Sequence, residues 1–475
     1  MFRFLIEIFR PRGRKPNDKE EIMQHSAWSG FVDFLQKKNR SSVIGIAFAY
    51  VGALTGAGLA SGQELMQYFM AFGLTGVKSV ILVAILHFAF GGITVSLGSF
   101  FLAREQGDVL GEIAPPLIQK ILDLGLMATC FIIGFVMIAG AGSNLHQEFG
   151  LPLWVGAALC TALVVLLAFF DFKKVSAVIG SFTPVILAFI LVAAIYVAFF
   201  TPIDLAKSES LALLETTTLP SPWVSVLNYF SMCLMTGASI AFVLGGEEYY
   251  LKNARIGGFV GGGIVGLITL MEVVTLYAAM PIVSGTELPM LTILTRIHPA
   301  IGTIAAIVIY GMIFNTAVSL YYALARRVVG KDPKKFVVTM QGLALVGFGL
   351  SFFGFKKLLS IFYPIVGYLG FVLILVLLIS YIRTKSEFLI EQNRRTKVFT
   401  SLMRKLNPAA IYRRDEDHKV KKLVRDSHID DHTLATTARQ EAKETWEAYQ
   451  ELNENEGTAD ETDEALEDRD AEKDA

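Results

Sequence analysis

Apolar residues fill long blocks of this chain instead of one face of each helix. Ten such blocks lie at about 42–72, 77–103, 120–146, 152–170, 174–200, 223–251, 257–281, 299–325, 334–353 and 357–382. Each is near the ~20 residues that cross a bilayer, and the charged positions fall mostly between blocks. The pattern predicts an all-α integral membrane protein with ten transmembrane helices. Residues 1–41 form a polar leader to this core, and residues 383–475 form a charged tail. The last 25 residues, Glu451–Ala475, hold twelve acids and two bases. So little apolar surface predicts a disordered end.

One block departs from the pattern of a spanning helix. "VGALTGAGLASGQE", Val51–Glu64, places Gly52, Gly56, Gly58 and Gly62, the hydroxyls of Thr55 and Ser61 and a Gln-Glu pair at membrane depth. Irregular backbone in lipid is tolerated only where it lines a cavity, and glycine is the residue that adopts it. The sixth block carries a related run, "TGASIAFVLGGEE". Its Thr-Gly-Ala lies 181 residues after that at Thr55, and its Gly-x-Glu at Gly245 lies 183 after that at Gly62. "DFKKVS" at Asp171 and "GFKKLL" at Gly354 are again 183 apart. A unit of five spans re-enters the membrane from the opposite side, so the displacement predicts a 5+5 inverted repeat with helices 1 and 6 broken. Facing half-helices offer amide ends to an anion and carbonyl ends to a cation, which together suit a zwitterion. The alternative is that these glycines only let helices pack closely.

Composition sharpens the picture. The 475 residues are 53% hydrophobic, with a mean hydropathy of +0.52, and this excludes an ordinary soluble domain. The net charge of −1 conceals an apolar core and an acidic tail. With the N-terminus inside, eleven Lys and Arg fall in cytoplasmic loops and five in the opposite loops. This places both termini in the cytoplasm of a cell-membrane protein. Lys356-Lys357 runs against that rule and is read as inherited from the repeat. The N-terminal "MFRFLIEIFRPRGRKPNDKEE" is interrupted by Arg3, Glu7 and Arg10 and lacks a cleavage site, so it is not read as a signal peptide. Trp28, Phe31 and Phe34 share one helical face, expected to lie on the membrane surface. Cys130, Cys160 and Cys233 sit in apolar runs and suggest packing, with neither disulfides nor a metal cluster.

The run "AFAYVGALTGAGLASGQE" resembles the YkvI-like membrane proteins, a branch of the amino acid–polyamine–organocation superfamily. Its Gly52-x-x-x-Gly56-x-Gly58 looks like the first-helix break of LeuT-fold transporters, which are built as inverted repeats. "AFVLGGEE" is similar to the Phe-x-Gly-x-Glu region of that superfamily, through Phe242, Gly245 and Glu247, with the spacing one residue longer. The resemblance covers the ten-span core. It implies that the amides of Gly56, Ala57 and Gly58 hold a substrate carboxylate, and that Thr236, Gly237, Ala238 and Ser239 offer carbonyls to an amine. It implies a sodium site from the carbonyls of Gly52 and Thr55 with the hydroxyls of Thr316 and Ser319. The absence of Lys or Arg from those two segments favours sodium over a basic substitute. It further suggests that "SGTELPMLTILTRIHP" is an external lid.

Four acids, Glu64, Glu247, Glu248 and Glu272, lie in or near spans. Glu64 and Glu247 are gating or proton-linked candidates. Glu272, in "LITLMEVVTLY", is expected to face the interior and carry a proton or a structural hydrogen bond. His87 is expected to be a satisfied interior residue, His146 and His298 interfacial, and His428 and His432 solvated. Tyr229 and Phe242 are among many apolar side chains available to line a pocket. The expected function is secondary active transport of an amino acid or similar small zwitterion, coupled to Na+ or H+, with no resident cofactor. A passive channel or a transporter-like sensor is the alternative. No Walker loop, nucleophile–base pair or metal motif points to an enzyme, and nothing points to nucleic acid. The expected partners are a small solute and the bilayer.

Overall fold

The structure, a computed structural model, describes residues 18–169, 182–330, 332–408, 410, 412 and 414–471. Among these, every regular element is helical. The first span is built from α1 (Asp18–Leu54), α2 (Ala57–Ser61) and α3 (Gln63–Tyr68). Next come α4 (Gly73–Phe101), α5 (Gln106–Ile113), α6 (Pro116–Phe149), α7 (Leu153–Leu167), α8 (Phe182–Phe200) and α9 (Leu205–Ala212). The second half holds α10 (Pro222–Glu247), α11 (Leu251–Ala278), α12 (Met280–Val283), α13 (Pro289–Ile297), α14 (Pro299–Val329), α15 (Pro333–Ser351) and α16 (Phe355–Leu406). The tail forms α17 (Arg414–Arg425) and α18 (Asp431–Ala471).

Seven helical stretches among the described residues are long and apolar enough to cross a membrane: Gln63–Phe101, Pro116–Phe149, Thr183–Phe200, Pro222–Glu247, Leu251–Ala278, Pro299–Val329 and Phe355–Leu406. The chain is a multi-pass membrane protein. The expected spans at 42, 152 and 334 correspond to the second half of α1, to the shorter α7 and to the more polar α15. Several helices start on recognisable signals. Ser221 accepts from the Val224 amide ahead of Pro222, and Asp332 accepts from the amides of Lys334 and Lys335 ahead of Pro333. The motif at Asp171 lies outside the described residues, so the repeat is followed through packing instead.

That packing falls into two groups. α1, α4, α10 and α11 pack against one another, and α6, α7, α14 and α15 do the same. In span order these are 1, 2, 6, 7 and 3, 4, 8, 9. Each group thus takes matching spans from the two halves. Glycine brings the first group together. A Cβ on Gly91 or Gly258 would strike the other's carbonyl, and one on Gly98 would strike the carbonyl of Phe242. α16 packs on both α10 and α6 and so bridges the groups. Pro364 inside α16 cannot donate to the Ser360 carbonyl, and the Thr218 hydroxyl takes that place at 3.1 Å.

Four expectations change here. The sixth span is not broken at Thr236–Ser239: α10 runs unbroken from Pro222 to Glu247. Thr236 donates its hydroxyl to its own preceding turn, at the carbonyl of Cys233 (2.8 Å). Gly237 serves packing, since a Cβ there would come within 2.6 Å of Leu54 Cδ2. The acidic end, expected to be disordered, is helical through Ala471, since Glu and Ala are good helix formers. The face of Phe31 and Phe34 does not meet the bilayer. Phe31 is fully buried and stands edge-on to Tyr449 of α18 at 4.9 Å, while the Trp28 side chain lies outside the described ones. Lys356, whose sign runs against the loop rule, donates to Glu215 at 2.8 Å and is neutralised there.

Candidate functional site

α1 ends at Leu54, where the backbone stops following the helix. Thr55 still bonds back to Val51 (2.8 Å), but the Gly56 amide turns to the Leu54 carbonyl (3.0 Å). Gly56 is extended, and α2 restarts at Ala57. Gly62, at φ 74°, then makes a second turn that a side chain would strain, and its amide bonds the carbonyls of Gly58 (3.1 Å) and Leu59 (3.2 Å). One span is therefore three helical pieces joined at two glycines.

The first joint opens on a cavity of about 320 Å³. Its wall takes Gly52, Thr55, Gly56, Ala57, Gly58 and Glu64 from the first span and Thr236 from α10. Thr316 and Ser319 from α14 complete its polar side. Apolar side chains close the rest, among them Ile133 and Met137 of α6, Met232 of α10 and Met312 of α14. Gly56 and Thr316 face each other closely, since a Cβ on Gly56 would lie 4.0 Å from the Thr316 hydroxyl. Both hydroxyls are anchored on their own helices, Thr55 donating to Val51 O (2.7 Å) and Thr316 to Met312 O (2.9 Å). Their lone pairs remain available to a cation.

Among the described residues, Glu64 is the one formally charged side chain in this wall. It is 5% exposed, its carboxylate is seated against Gly58, and the Tyr229 hydroxyl donates to it at 3.3 Å. Among the described residues, no lysine, arginine or histidine lines the cavity. Glu272 is buried on α11, and neither of its oxygens has a hydrogen-bond partner among the described residues. It lies outside the wall but within electrostatic reach of Glu64. His87 is likewise buried with both ring nitrogens unpartnered, so it is interior but not satisfied.

Several sequence candidates are elsewhere. Gly237 and Ala238 pack on Leu54 and Tyr50, away from the cavity. Ser239 is half-buried and Phe242 is buried behind Gly98; neither lines it. Glu247 is exposed and borders a second cavity, of about 450 Å³, whose other wall is α18. It follows no break, because α10 has none. His428 is not solvated: it stacks on Phe100 with centroids 4.0 Å apart. Sequence reading passed over Asn315 and Tyr363 and took Cys233 for a packing residue; all three line the central cavity. Asn315 carried a signal, an amide in an apolar helix one residue before Thr316, and its side-chain oxygen is buried without a partner.

Over the second joint lies α13. A Cβ on Gly62 would reach Met290 Cγ at 2.9 Å, and Met290, Leu291 and Leu294 are buried. Gln147 of α6 fixes the start of α13, accepting from the Leu288 amide (2.9 Å) and donating to the Leu288 carbonyl (3.0 Å). The loop expected as a lid thus covers the interrupted helix.

No family model matches the chain. It is 28% identical over 343 residues to the uncharacterized protein YyaD of Bacillus subtilis (strain 168), covering 70% of this chain and 96% of that one. Among solved structures, it is similar to MhsT in complex with L-phenylalanine, with TM-score 0.48 and 17% identity over 86% of this chain and 98% of that one. It is also similar to Mhp1 in an inward-facing conformation, with TM-score 0.45 and 12% identity over 87% and 90%. At these scores the structural likeness carries no weight in assigning a solute. The resemblance read from the first span does hold: the chain is 21% identical over 337 residues to the uncharacterized membrane protein YkvI of the same organism, covering 70% of this chain and 94% of YkvI.

Proposed function

We propose that this protein is a secondary active transporter that moves an amino acid or similar small zwitterion by alternating access, coupled to Na+ or H+. The observation that carries this reading is the interrupted first helix, whose joint at Thr55–Gly56 opens into a cavity at the meeting of six spans. The two groups of matching spans support ten helices arranged as an inverted repeat, and a solute held between two such groups is released by rocking one against the other. Both termini are assigned to the cytoplasm of the cell membrane.

In this reading Gly52, Thr55, Thr316 and Ser319 supply oxygens to a coupling cation. The backbone of Gly56, Ala57 and Gly58 and the polar edge of Thr236 meet the solute. Glu64 lies where the resemblance puts the solute carboxylate. Two anions at ~4 Å repel by about 4 kcal/mol at an effective dielectric of 20. A proton on Glu64 removes that cost, so solute and proton enter together, and Glu272 is the second candidate for the proton.

The test is uptake of labelled amino acids into proteoliposomes under imposed Na+ or H+ gradients. Accumulation above equilibrium is expected, and Gly58→Leu abolishes it while leaving membrane insertion intact. Flux that never exceeds equilibrium would identify a passive facilitator. No gradient-dependent accumulation over a broad panel would defeat the reading.

A further inference from the structure

The tail does not hang free from the bundle. α16 is 52 residues, or ~78 Å at 1.5 Å per residue, far more than the ~30 Å of hydrocarbon. Its last third runs beyond the bundle, and α17 and α18 pack against it over one face. There it builds a second apolar core, separate from that of the bundle. Val398, Phe399 and Met403 of α16 join Leu434 and Ala438 of α18 against Phe31 of α1.

Arg395 is the centre of this arrangement. Its side chain is 1% exposed, and its guanidinium reaches three carbonyls on two other elements. It donates to the carbonyls of Ser99 (2.9 Å) and Phe100 (2.9 Å) at the end of α4, and to Tyr249 (3.2 Å) in the turn between α10 and α11. Tyr249 returns a bond from its hydroxyl to the Arg395 carbonyl (2.9 Å). Glu391 balances the charge at 3.1 Å, and Ser427 donates to Glu391 at 3.0 Å. Helix-end carbonyls such as that of Phe100 lack an intrahelical donor, and here a tail residue supplies one. His428 then stacks on the Phe100 ring and bonds the same carbonyl (2.9 Å). Farther along, Glu441 of α18 pairs with Lys38 of α1 at 2.7 Å.

The elements held this way are α1, α4 and the α10–α11 turn. These belong to one of the two four-helix groups, and α1 and α10 also wall the central cavity. The tail is anchored through α16, which touches the other group as well. Sliding one group against the other must therefore pull on these bonds. We propose that residues 383–452 act as an intramolecular clamp, which ties the ends of spans 1, 2, 6 and 7 beside the tail helices to span 10 and so restrains access to the central cavity from the face that α17 and α18 cover. As a claim about regulation of that cavity, it rests on the transport reading for its purpose but not for its test.

Cys233 lines the cavity and is half-buried, whereas Cys130 and Cys160 are buried. The experiment uses the full-length protein with Cys130→Ala and Cys160→Ala, in membrane vesicles that expose the face covered by α17 and α18. It measures how fast a charged, membrane-impermeant methanethiosulfonate labels Cys233. Lys38→Glu or Glu441→Lys replaces an ion pair by a repulsion and raises the rate about 3–10-fold. The double reversal Lys38→Glu/Glu441→Lys returns it to the parent rate. Arg395→Met raises it further, and the reversal pair keeps the test valid where that variant fails to insert. Equal rates in the parent and both single reversals, or a double reversal as fast as the singles, would overturn the clamp. Labelling needs no solute, so failure of uptake would sink the transport reading and leave this one standing.

Discussion

Gly58→Ala is the smallest change that reaches the centre of the site. A Cβ at position 58 would fall inside the contact radius of all three atoms of the Glu64 carboxyl group. The carboxylate must then leave its seat, and the 3.3 Å bond from Tyr229 goes with it. Overpacking costs about 1–3 kcal/mol and the lost hydrogen bond about 1 kcal/mol. Alanine in place of a helical glycine returns about 0.5–1 kcal/mol. The balance is a destabilisation of about 1–3 kcal/mol, or very roughly 2–6 °C in Tm. The same displacement puts the carboxylate into the cavity, where it lowers solute affinity about 10- to 100-fold on 1.4 kcal/mol per decade. Thermal unfolding in detergent and saturation of uptake measure the two effects. Glu64→Ala in the Gly58→Ala background opens the space again and restores Tm toward the level of Glu64→Ala alone. Strictly additive Tm changes in the double variant would refute the argument, because additivity means the two side chains do not share that space.

Three further outcomes are expected. Burial against Phe100 is the main cause that lowers the His428 pKa, with Arg395 adding to it; the Glu391 and Glu387 carboxylates and the Phe100 carbonyl act the other way. The undocked tail therefore binds the proton more readily, so docking is full above the free-histidine value of ~6.5 and weakens as pH falls below it. Protease sensitivity of the tail between pH 7.5 and 5.5 measures this, and His428→Phe should flatten the profile. Arg395→Met takes a donor from the carbonyls of Ser99, Phe100 and Tyr249 while Glu391 keeps its pair with Arg394, so it costs on the order of 1 kcal/mol per lost bond, about 3 kcal/mol in all, as the denaturation midpoint measures. Glu272→Gln keeps the shape of a buried side chain whose oxygens have no partner, so stability holds within about 1 kcal/mol while any proton dependence of uptake is reduced, as flux against pH would report.

Much of the architecture was legible in the chain itself. Block length and polarity mark where helices run, because hydropathy over some twenty residues is a local property. The glycines of Val51–Glu64 mark the joint at Gly56, and four of the proposed ion-site residues, Gly52, Thr55, Thr316 and Ser319, line one cavity. What could not be read was orientation. Tyr363, Asn315 and Cys233 line the cavity because of how their helices are rotated, and rotation is set by neighbouring helices. The tail illustrates the same limit, since its charged composition gives no hint that Arg395 finds three carbonyls on two distant elements.

The sharpest contrast is between Thr55-Gly56-Ala57 and Thr236-Gly237-Ala238. The same three residues break a helix in the first span and leave it whole in the sixth. Sequence by itself determined that backbone could bend at either place, because glycine removes the penalty for doing so. Tertiary structure decided which one bends: Gly56 faces an open cavity, while Gly237 is filled from outside by Leu54 and stays in register with its own helix.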